Sequence, residues 1–345
     1  TVEMGKPLAQ AVAEAEKCGW GCDYYAENAE RFLAPVPAPT DAATSYWVHR
    51  PLGVVLGIMP WNFPFWQVVR FAAPAITAGN AILLKHAPCV PGCAEALETL
   101  FADAGYPAGL FANLFIDVEA TGEVIDHELV RAVSLTGSVR AGRAVASRAG
   151  AAIKKCVLEL GGSDPSLVLA DADLDLAAEE AAHGAFFNQG QICMSTERIV
   201  VDASVADAFT QRLVARAESL RAPAPGTSPL GSLISPGAAL RLRGIVDDAL
   251  SHGARLAAGG DSLGATFQPT VLDHVTPGMR IYAEEAFGPI VGVIRAGDAE
   301  EALSLANDTE FGLVVSVFSR DTAKAEAMLR TVETGIGHIN RSTVF

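Results

Sequence analysis

The chain has 345 residues, of which 50% are hydrophobic and 19% are charged, and its formal net charge at pH 7 is -15. This composition is typical of a globular protein with a large core, and the length suggests two domains. The negative charge disfavours nucleic acid and anionic membrane surfaces as partners, no apolar run is long enough to span a membrane, and the first residues lack the pattern of a signal peptide.

The cysteines and the chain ends indicate the setting of the protein. There are two C-x3-C pairs, Cys18 with Cys22 and Cys89 with Cys93. Their spacing is unusual for zinc and they lie among small residues typical of helix packing, so we expect no metal and, in a cytoplasmic location, no disulfides. The chain begins without methionine inside a helical pattern and stops soon after a predicted strand, so we expect that both ends are shortened.

The first half of the chain alternates between helical and strand patterns. Residues 1–33 show a helical pattern, three prolines break it, and residues 44–50 are predicted to form an exposed strand. Apolar runs then predict buried strands over 54–59, 81–85, 110–116, 131–135 and 157–160. The segments between them predict helices over 65–78, 91–104, 121–127 and 139–150. Such alternation indicates a doubly wound parallel sheet.

In a doubly wound sheet, ligands bind outside the carboxyl ends of the strands. Asn62, Lys85, Glu159 and residues 136–138 all end or follow predicted strands. We therefore expect these side chains to line one crevice.

A second α/β unit is predicted after Gly162. Its helices are expected over 174–187, 205–221, 238–252, 299–307 and 322–332. Its strands are expected over 197–201, 255–258, 268–272, 290–295, 314–319 and 336–340. A loop rich in proline and glycine is expected over 222–236.

Cys193 follows the end of the helix predicted over 174–187. Asn188, Gln189 and Gly190 are poor helix formers, so the cysteine is expected on a turn whose backbone N–H groups are not used by a helix. A thiol beside such N–H groups can be a nucleophile next to an oxyanion site. The alternative is a cysteine that fills the core.

Lys85 and the turn at Gly137 suit a phosphate group. Glycine lets the backbone approach a phosphate, and the helix N-terminus that follows favours negative charge. Gly142 in the same helix fits this pattern, although it is not the usual dinucleotide fingerprint. The alternatives are a tight turn and a lysine that points to water.

Glu159 and Asn62 suit acyl chemistry. A buried glutamate with raised proton affinity can act as a general base, whereas the alternative role is to cap neighbouring N–H groups. Pro64 restricts the backbone at Asn62. The amide of Asn62 can then donate to an oxyanion, or it can stabilise an Asx-turn. Further on, Glu285 and Phe287 precede a turn, where a carboxylate can bind ribose hydroxyls and a ring can pack on a cofactor.

Seven motifs occur in one order: PWNFP (60–64), AGNAILLKHAP (78–88), LTGS (135–138), LELGG (158–162), FNQGQIC (187–193), EEAFGP (284–289) and ANDTEFGL (306–313). With these motifs, the whole chain resembles the aldehyde dehydrogenase superfamily. The resemblance implies a Rossmann-type cofactor-binding domain from residues 1–33 and 54–160. It also implies an oligomerisation strand segment at 34–53, a catalytic α/β domain at 161–345, and assembly into a homodimer or tetramer.

The resemblance further implies the reaction and the residue roles. Cys193 matches the family nucleophile, Glu159 the general base, and Asn62, with the Cys193 N–H, the oxyanion hole. The residues implied in cofactor binding are Pro60, Trp61, Lys85, Pro88, Gly137, Ser138, Glu285 and Phe287. The implied reaction is NAD(P)-dependent oxidation of an aldehyde to a carboxylate through a thioester on the cysteine.

Within the superfamily, several stretches are most similar to succinate-semialdehyde dehydrogenases, among them PWNFPFWQVVR and LELGGSDP. Arg70 lies where those enzymes hold the distal carboxylate of the substrate, a task that suits a guanidinium. The alternative is an arginine on the helix surface. Some of these enzymes have a second arginine where this chain has Phe187, and a serine expected just past Phe345 is not in the chain. Other semialdehydes and aliphatic or aromatic aldehydes therefore stay open as substrates.

The cofactor preference depends on the position three residues after Lys85. NAD-preferring relatives often carry a glutamate there, whereas this chain has Pro88. Without that carboxylate a 2′-phosphate is not repelled, so we expect NADP to be preferred and NAD to be tolerated. Two other classes of function stay open from the sequence: a shortened, inactive family member, and a Cys–Glu hydrolase that works without nicotinamide.

Overall fold

The computed structural model describes residues 1–221 and 229–344, which form two compact units. One unit is Leu8–Leu160, and the other combines Thr1–Pro7 with Gly161–Phe345. The first residues were expected to belong with the helix that follows them, but the N–H of Ser232 donates to the carbonyl of Gly5 (3.1 Å). The roles of the units in cofactor binding, catalysis and oligomerisation stay predictions. Among the described residues, no helix is both long and apolar enough to cross a membrane.

The unit Leu8–Leu160 is built on a parallel sheet. Its helices are α1 (Leu8–Leu33), α2 (Trp66–Thr77), α3 (Pro91–Asp103), α4 (Val118–Asp126) and α5 (Val139–Ala151). Its strands are β1 (Val36–Pro37), β2 (Tyr46–Trp47), β3 (Val54–Met59), β4 (Ala81–His86), β5 (Phe111–Asn113), β6 (Val130–Thr136) and β7 (Lys155–Glu159). Strands β3 to β7 form one five-stranded sheet in the order β5-β4-β3-β6-β7, with every neighbouring pair parallel.

The strand order changes direction between β3 and β6, which confirms the doubly wound sheet. Successive side chains of a strand point to opposite faces, and both faces here are apolar. Val55 packs in a cluster with α2 and α3, whereas its neighbour Leu56 packs with Ile125 of α4 and Ala149 of α5. A crevice at the carboxyl ends of β3 and β6 is where such a sheet binds ligands.

The strand predicted over 44–50 is much shorter than expected. Only Tyr46–Trp47 forms a strand, and it pairs with Val36–Pro37 in the segment where prolines were expected to prevent regular structure. Both short strands are exposed, which allows a proline to take part because an edge strand has N–H positions without a ladder partner. The role of this small β element in oligomerisation stays a prediction.

The second unit is built on a larger sheet. Its helices are α6 (Leu174–Phe186), α7 (Ala206–Ser219), α8 (Pro236–Ser251), α9 (Arg280–Ala283), α10 (Ala299–Asn307) and α11 (Thr322–Leu329). Its strands are β8 (Asp164–Val168), β9 (Thr196–Asp202), β10 (Arg255–Ala258), β11 (Ser262–Leu263), β12 (Thr266–Phe267), β13 (Thr270–Asp273), β14 (Ile290–Ala296), β15 (Val314–Phe318) and β16 (Ile336–Ile339). The seven-stranded sheet has the order β10-β13-β14-β9-β8-β15-β16 and is parallel except at the β10–β13 pair.

Strand β8 lies inside this sheet, between β9 and β15, although its sequence predicts no strand. Its polar start, Ser163-Asp164-Pro165, is typical of a turn, yet all five strand residues are buried. Asp164 accepts a hydrogen bond from the N–H of Val314 (3.1 Å), and the register shifts next to Pro165. The strand pairs with β9 and β15, so distant partners satisfy the polar groups that suggested a loop.

Three other elements differ from the sequence predictions. The short β11–β12 pair and helix α9 were not predicted. The loop expected over 222–236 lies partly outside the described residues, and its last residue, Pro236, is the first residue of α8. Proline at this position costs no hydrogen bond, because the first N–H groups of a helix have no intrahelical partner.

Candidate active site

The predicted site residues lie at two sheet edges, one in each unit. In Leu8–Leu160, Asn62, Lys85 and Glu159 lie at the carboxyl ends of β3, β4 and β7, and residues 136–138 end β6 and begin α5. This is the placement expected for a doubly wound sheet.

Asn62 lies on the turn that joins β3 to α2. It is 3% exposed, whereas Pro60 and Trp61 before it are half-buried. The turn enters α2 through a hydrogen bond from the N–H of Gln67 to the carbonyl of Phe63 (3.0 Å). A buried amide on a turn held in this way is suited to donate to an oxyanion.

Lys85 and Ser138 present a cation and a helix N-terminus at the same edge. Lys85 is 9% exposed; burial lowers the pKa of its ammonium, and the neighbouring Cys89 acts in the opposite direction. Ser138 caps α5, its Oγ accepting from the N–H of Ala141 (3.3 Å). A Cβ on Gly142 would lie 2.5 Å from the side chain of Leu160, so glycine allows α5 to pack closely on the end of β7. These groups fit a cofactor phosphate.

Arg70 of α2 reaches the carboxyl ends of β6 and β7. Its guanidinium lies 3.8 Å from the carboxylate of Glu159 and donates to Oγ1 of Thr136 (3.3 Å). The Arg70 side chain therefore contacts protein groups as well as solvent. The expectation that Glu159 is buried was wrong, because its side chain is 41% exposed at the end of β7.

An aromatic cavity adjoins Arg70. It has a volume of about 220 Å3 and is lined by Trp20, Tyr24, Tyr25 and Trp66, together with Arg70 itself. A charged guanidinium at the edge of an aromatic pocket is suited to bind a ligand with an apolar body and an anionic end.

Cys193 lies in the second unit, on a tightly constrained turn. Helix α6 ends at Phe186, close to the predicted end, and Asn188, Gln189 and Gly190 follow with positive φ values of 51°, 58° and 66°. A Cβ on Gly190 would lie 2.2 Å from the carbonyl oxygen of Gly288, so only glycine fits there. The turn leads to a partly exposed Cys193.

Side-chain amides fix this turn. Oε1 of Gln191 accepts from the N–H of Ile234 (2.9 Å), and its Nε2 donates to Oε1 of Gln189 (2.9 Å). Both glutamines are buried. Phe187, the position where a second arginine was considered, is half-buried with its ring 5.1 Å from that of His183. A preorganised turn of this kind suits a nucleophile.

The glycine pair 161–162 allows Glu285 and Cys193 to approach the chain. Oε1 of Glu285 accepts from the N–H of Gly162 (3.2 Å), and a Cβ on Gly161 would lie 2.2 Å from Oε2. A Cβ on Gly162 would lie 2.3 Å from the carbonyl oxygen of Cys193. Any side chain at either position would therefore displace these groups.

These residues lie at the amino ends of parallel strands, unlike those of the first unit. Gly162, Cys193 and Phe287 precede β8, β9 and β14, respectively. The placement of candidate residues at the carboxyl ends of strands, seen in Leu8–Leu160, does not extend to this sheet. Burial raises the pKa of the Glu285 carboxyl, while the Gly162 N–H and the Arg241 guanidinium oppose that shift.

Glu197 is a buried site residue that sequence reasoning missed. Its carboxylate accepts from the N–H groups of Ala286 (2.7 Å) and Phe287 (2.8 Å), and Phe287 has a φ of 47°. Burial raises the pKa of Glu197 well above its ordinary value, although these two hydrogen bonds favour the charged form. The sequence feature that could have identified Glu197 is its pairing with Arg198 inside a buried strand pattern, because buried charges need partners.

Asp164 and Arg198 are buried ionisable residues next to this edge. Burial raises the pKa of Asp164 to about 8, opposed by the Val314 N–H and by Arg198. Arg198 is fully buried and donates to the carbonyls of Ser163 (3.1 Å), Leu305 (3.0 Å) and Ala306 (3.1 Å). Arg198 therefore fixes the start of β8 to the end of α10.

None of the six cysteines, all within the described part of the chain, is in a disulfide. Over residues 1–221 and 229–344, no three or more His, Cys, Asp or Glu side chains come together in a way that could hold a metal ion.

Comparison with known proteins identifies one family over the whole chain. The family model described as Aldehyde dehydrogenase family matches residues 1–345. The chain is 46% identical over 345 residues to succinate semialdehyde dehydrogenase [NAD(P)+] Sad of Escherichia coli (strain K12), covering 99% of this chain and 75% of that protein.

Two solved structures are also similar. Succinic semialdehyde dehydrogenase from Streptococcus pyogenes, in complex with NADP+, superposes with a TM-score of 0.94 at 36% identity, covering 99% of this chain and 76% of that one. A salicylaldehyde dehydrogenase from Pseudomonas putida G7, complexed with salicylaldehyde, has a TM-score of 0.94 at 37% identity, covering 99% and 72%. The chain thus spans about three quarters of the length of these relatives.

Proposed function

This chain belongs to the aldehyde dehydrogenase family, and from that premise we propose that it oxidises succinate semialdehyde to succinate, with NADP preferred and NAD accepted. The substrate assignment rests on the position of the Arg70 guanidinium, which lies at the carboxyl ends of β6 and β7 beside an apolar cavity. A bidentate cation there suits the distal carboxylate of a semialdehyde. The names of the Escherichia coli and Streptococcus pyogenes relatives agree with this choice.

Cys193 is the proposed nucleophile. Its thiolate attacks the aldehyde carbon and gives a thiohemiacetal whose oxygen carries negative charge. The N–H of Cys193 and the amide of Asn62 are the proposed donors to that oxygen. The turn fixed by Gln189 and Gln191 supports the backbone donor, because its orientation does not have to be found during the reaction.

Glu159 is the proposed base for the second half of the reaction. It accepts a proton from the water that attacks the thioester, which releases the carboxylate product and restores the thiol. Its partial exposure supports this role, since a base that activates water needs contact with water.

The residues present fit a nicotinamide cofactor. Lys85 and the capped N-terminus of α5 are suited to the adenosine ribose or its phosphate, and Glu285 and Phe287 to the nicotinamide side. When bound, the cofactor supplies the oxidising power as the acceptor of a hydride, that is, a proton with two electrons, from the substrate carbon. Pro88, exposed on the turn after β4, leaves no carboxylate at that position to repel a 2′-phosphate.

A second candidate substrate class is an aromatic aldehyde. The observation that favours it is the aromatic lining of the cavity beside Arg70, with Lys17 lying over the ring of Trp66 at 4.9 Å. A salicylaldehyde dehydrogenase is among the similar structures. Succinate semialdehyde ranks first, because only a distal carboxylate uses Arg70 fully.

A substrate and cofactor panel on the purified chain tests the proposal. We expect the highest kcat/KM with succinate semialdehyde and NADP, a lower value with butanal, and no NAD(P)H formation by Cys193→Ala. Cys22→Ala, at an exposed cysteine of α1, is the matched control and should keep full activity.

Four outcomes would contradict parts of the proposal. Full activity of Cys193→Ala would exclude the nucleophile, and a higher kcat/KM with salicylaldehyde would favour the aromatic class. No NAD(P)H production from any aldehyde would support an inactive family member, and turnover without nicotinamide would support the hydrolase. The cytoplasmic location and the homodimer or tetramer expected from the sequence stay predictions.

A further inference from the structure

We infer that Glu14 and His86 are positioning residues for the oxyanion donor Asn62. The inference rests on the proposed function, since it concerns the same donor. Both residues are buried, with exposed fractions of 5% for Glu14 and 6% for His86. Glu14 belongs to α1 and His86 to β4. Both form hydrogen bonds to the segment that links Asn62 to α2.

Glu14 of α1 caps the start of α2 from a distance. Its Oε1 accepts from the N–H of Phe65 (2.8 Å) and from the N–H of Trp66 (3.0 Å). The first N–H groups of a helix have no intrahelical partner, and the N-cap residue Phe65 has no side chain that could provide one. A carboxylate at this end is also favoured by the helix dipole. Glu14 thus fixes where α2 begins, four residues after Asn62.

His86, the last residue of β4, fixes the carbonyl in the same segment. Its Nδ1 accepts from the N–H of Ala87 (2.8 Å), which places the proton of the neutral ring on Nε2. Nε2 then donates to the carbonyl of Pro64 (2.9 Å). The ring thereby ties the turn after β3 to the end of the neighbouring strand β4.

The two ties leave the Asn62 segment little freedom. The carbonyl of Pro64 is held by β4, and the next two N–H groups are held by α1. An oxyanion donor must lie within a few tenths of an ångström of its working position, and a 1 Å displacement costs about 100-fold in rate. The distant carboxylate and imidazole therefore serve the placement of one amide.

A double-mutant cycle distinguishes positioning from general support of the fold. Glu14→Ala is expected to lower the rate of the first turnover about 10- to 100-fold, with little change in KM for the aldehyde or in the dissociation constant of NADP. Glu14→Gln keeps an acceptor oxygen and should restore most of the rate. Glu16→Ala, an exposed glutamate on the same helix, is the matched control and should have no effect.

The decisive comparison is made in the Asn62→Ala background. There, Glu14→Ala should lower the rate less than 2-fold further, because the group that it positions is already absent. An equal fold-loss in both backgrounds would overturn the positioning role. If Glu14→Ala does not fold, His86→Ala is measured alone and in the Asn62→Ala background, and the same rate losses are expected.

The cycle also separates this inference from the proposed function. If Asn62→Ala leaves the rate unchanged, the oxyanion role of Asn62 fails, and the positioning inference fails with it. If Asn62→Ala lowers the rate but Glu14→Ala and His86→Ala act independently of it, only the positioning inference fails.

Discussion

Arg70 has two neighbours that define its chemistry. Thr136 accepts one hydrogen bond from the guanidinium, and the carboxylate of Glu159 lies 3.8 Å away. Since both charged side chains are more than a third exposed, their ion pair contributes little to stability. A substrate carboxylate can therefore displace Glu159 at small cost and use the same guanidinium.

Replacement of Arg70 tests the substrate assignment. We expect Arg70→Ala to raise KM for succinate semialdehyde about 10- to 100-fold, because a charge-assisted hydrogen bond contributes about 1.5–3 kcal/mol. KM for butanal, which lacks the carboxylate, should change far less. Steady-state kinetics with both aldehydes provides the measurement.

The control for this experiment is Arg143→Ala, which removes an exposed arginine of α5 and should leave both KM values unchanged. Equal increases of KM for the two aldehydes in Arg70→Ala would remove the carboxylate-binding role.

Pro88 is the position at which the cofactor preference is tested. Pro88→Glu should lower kcat/KM for NADP more than for NAD, because the new carboxylate repels a 2′-phosphate and can accept from ribose hydroxyls. Pro88 is exposed in a turn closed by a hydrogen bond from Val90 to Ala87 (3.2 Å), so the fold should accept the change. A wild-type preference for NAD, or a variant with an unchanged NADP/NAD ratio, would contradict the assignment.

The edges of the two sheets are organised differently. In Leu8–Leu160 the candidate residues follow the strands, whereas in the second unit they precede β8, β9 and β14. The glycines at the start of β8 matter for this reason, because the chain there is crossed closely by the segment that carries Glu285.

Gly161→Ala tests that close approach. The added Cβ would lie 2.2 Å from Oε2 of Glu285, at the flexible end of a side chain, so we expect the fold to persist and the carboxylate to move away. The dissociation constant of NADP should rise, because Glu285 is the proposed ribose ligand. Fluorescence titration with NADP gives the measurement.

Gly150→Ala in α5 is the matched control. A Cβ there meets nothing within 4 Å, so NADP affinity should be unchanged and stability should rise by about 0.5–1 kcal/mol. Unaltered NADP binding by Gly161→Ala would exclude Glu285 from the cofactor site.

The stability of the whole protein should depend on pH through its buried acids. The folded-state pKa of Asp164 is raised to about 8, whereas an unfolded aspartate has a pKa of about 3.9. A group with a raised folded pKa contributes stability that is fully present below about pH 4 and is lost as pH rises towards 8. The ionisable groups that face Asp164 are Arg198, Glu285 and Glu197.

Asp164→Asn should therefore reduce the loss of stability between pH 5 and pH 8. Each buried acid of this kind contributes a slope of at most about 1.4 kcal/mol per pH unit, and the variant lacks one such group. Urea unfolding at both pH values provides the measurement, with Asp103→Asn, at an exposed position, as control. A variant with the wild-type pH dependence would show that Asp164 is charged in the folded protein at pH 5.

Local patterns in the sequence were sufficient for most elements and for the general form of the site. The apolar run at 54–59 and the end of helix α6 agree closely with the structure, because strand periodicity and helix termination depend on neighbouring residues. The motif order identified the family, which the comparison with known proteins supports over the whole chain. The roles of the individual site residues stay predictions.

Contacts between distant parts of the chain decided the rest. Strand β8 has the local pattern of a turn, and it became a central strand because β9 and β15 pair with it on both sides. Glu14 and Glu197 are buried where they accept from N–H groups 51 and 89 residues away. Glu159 is partly exposed where a buried base was expected. Whether a charge is buried depends on donors that folding brings to it, and no local pattern records where those donors lie.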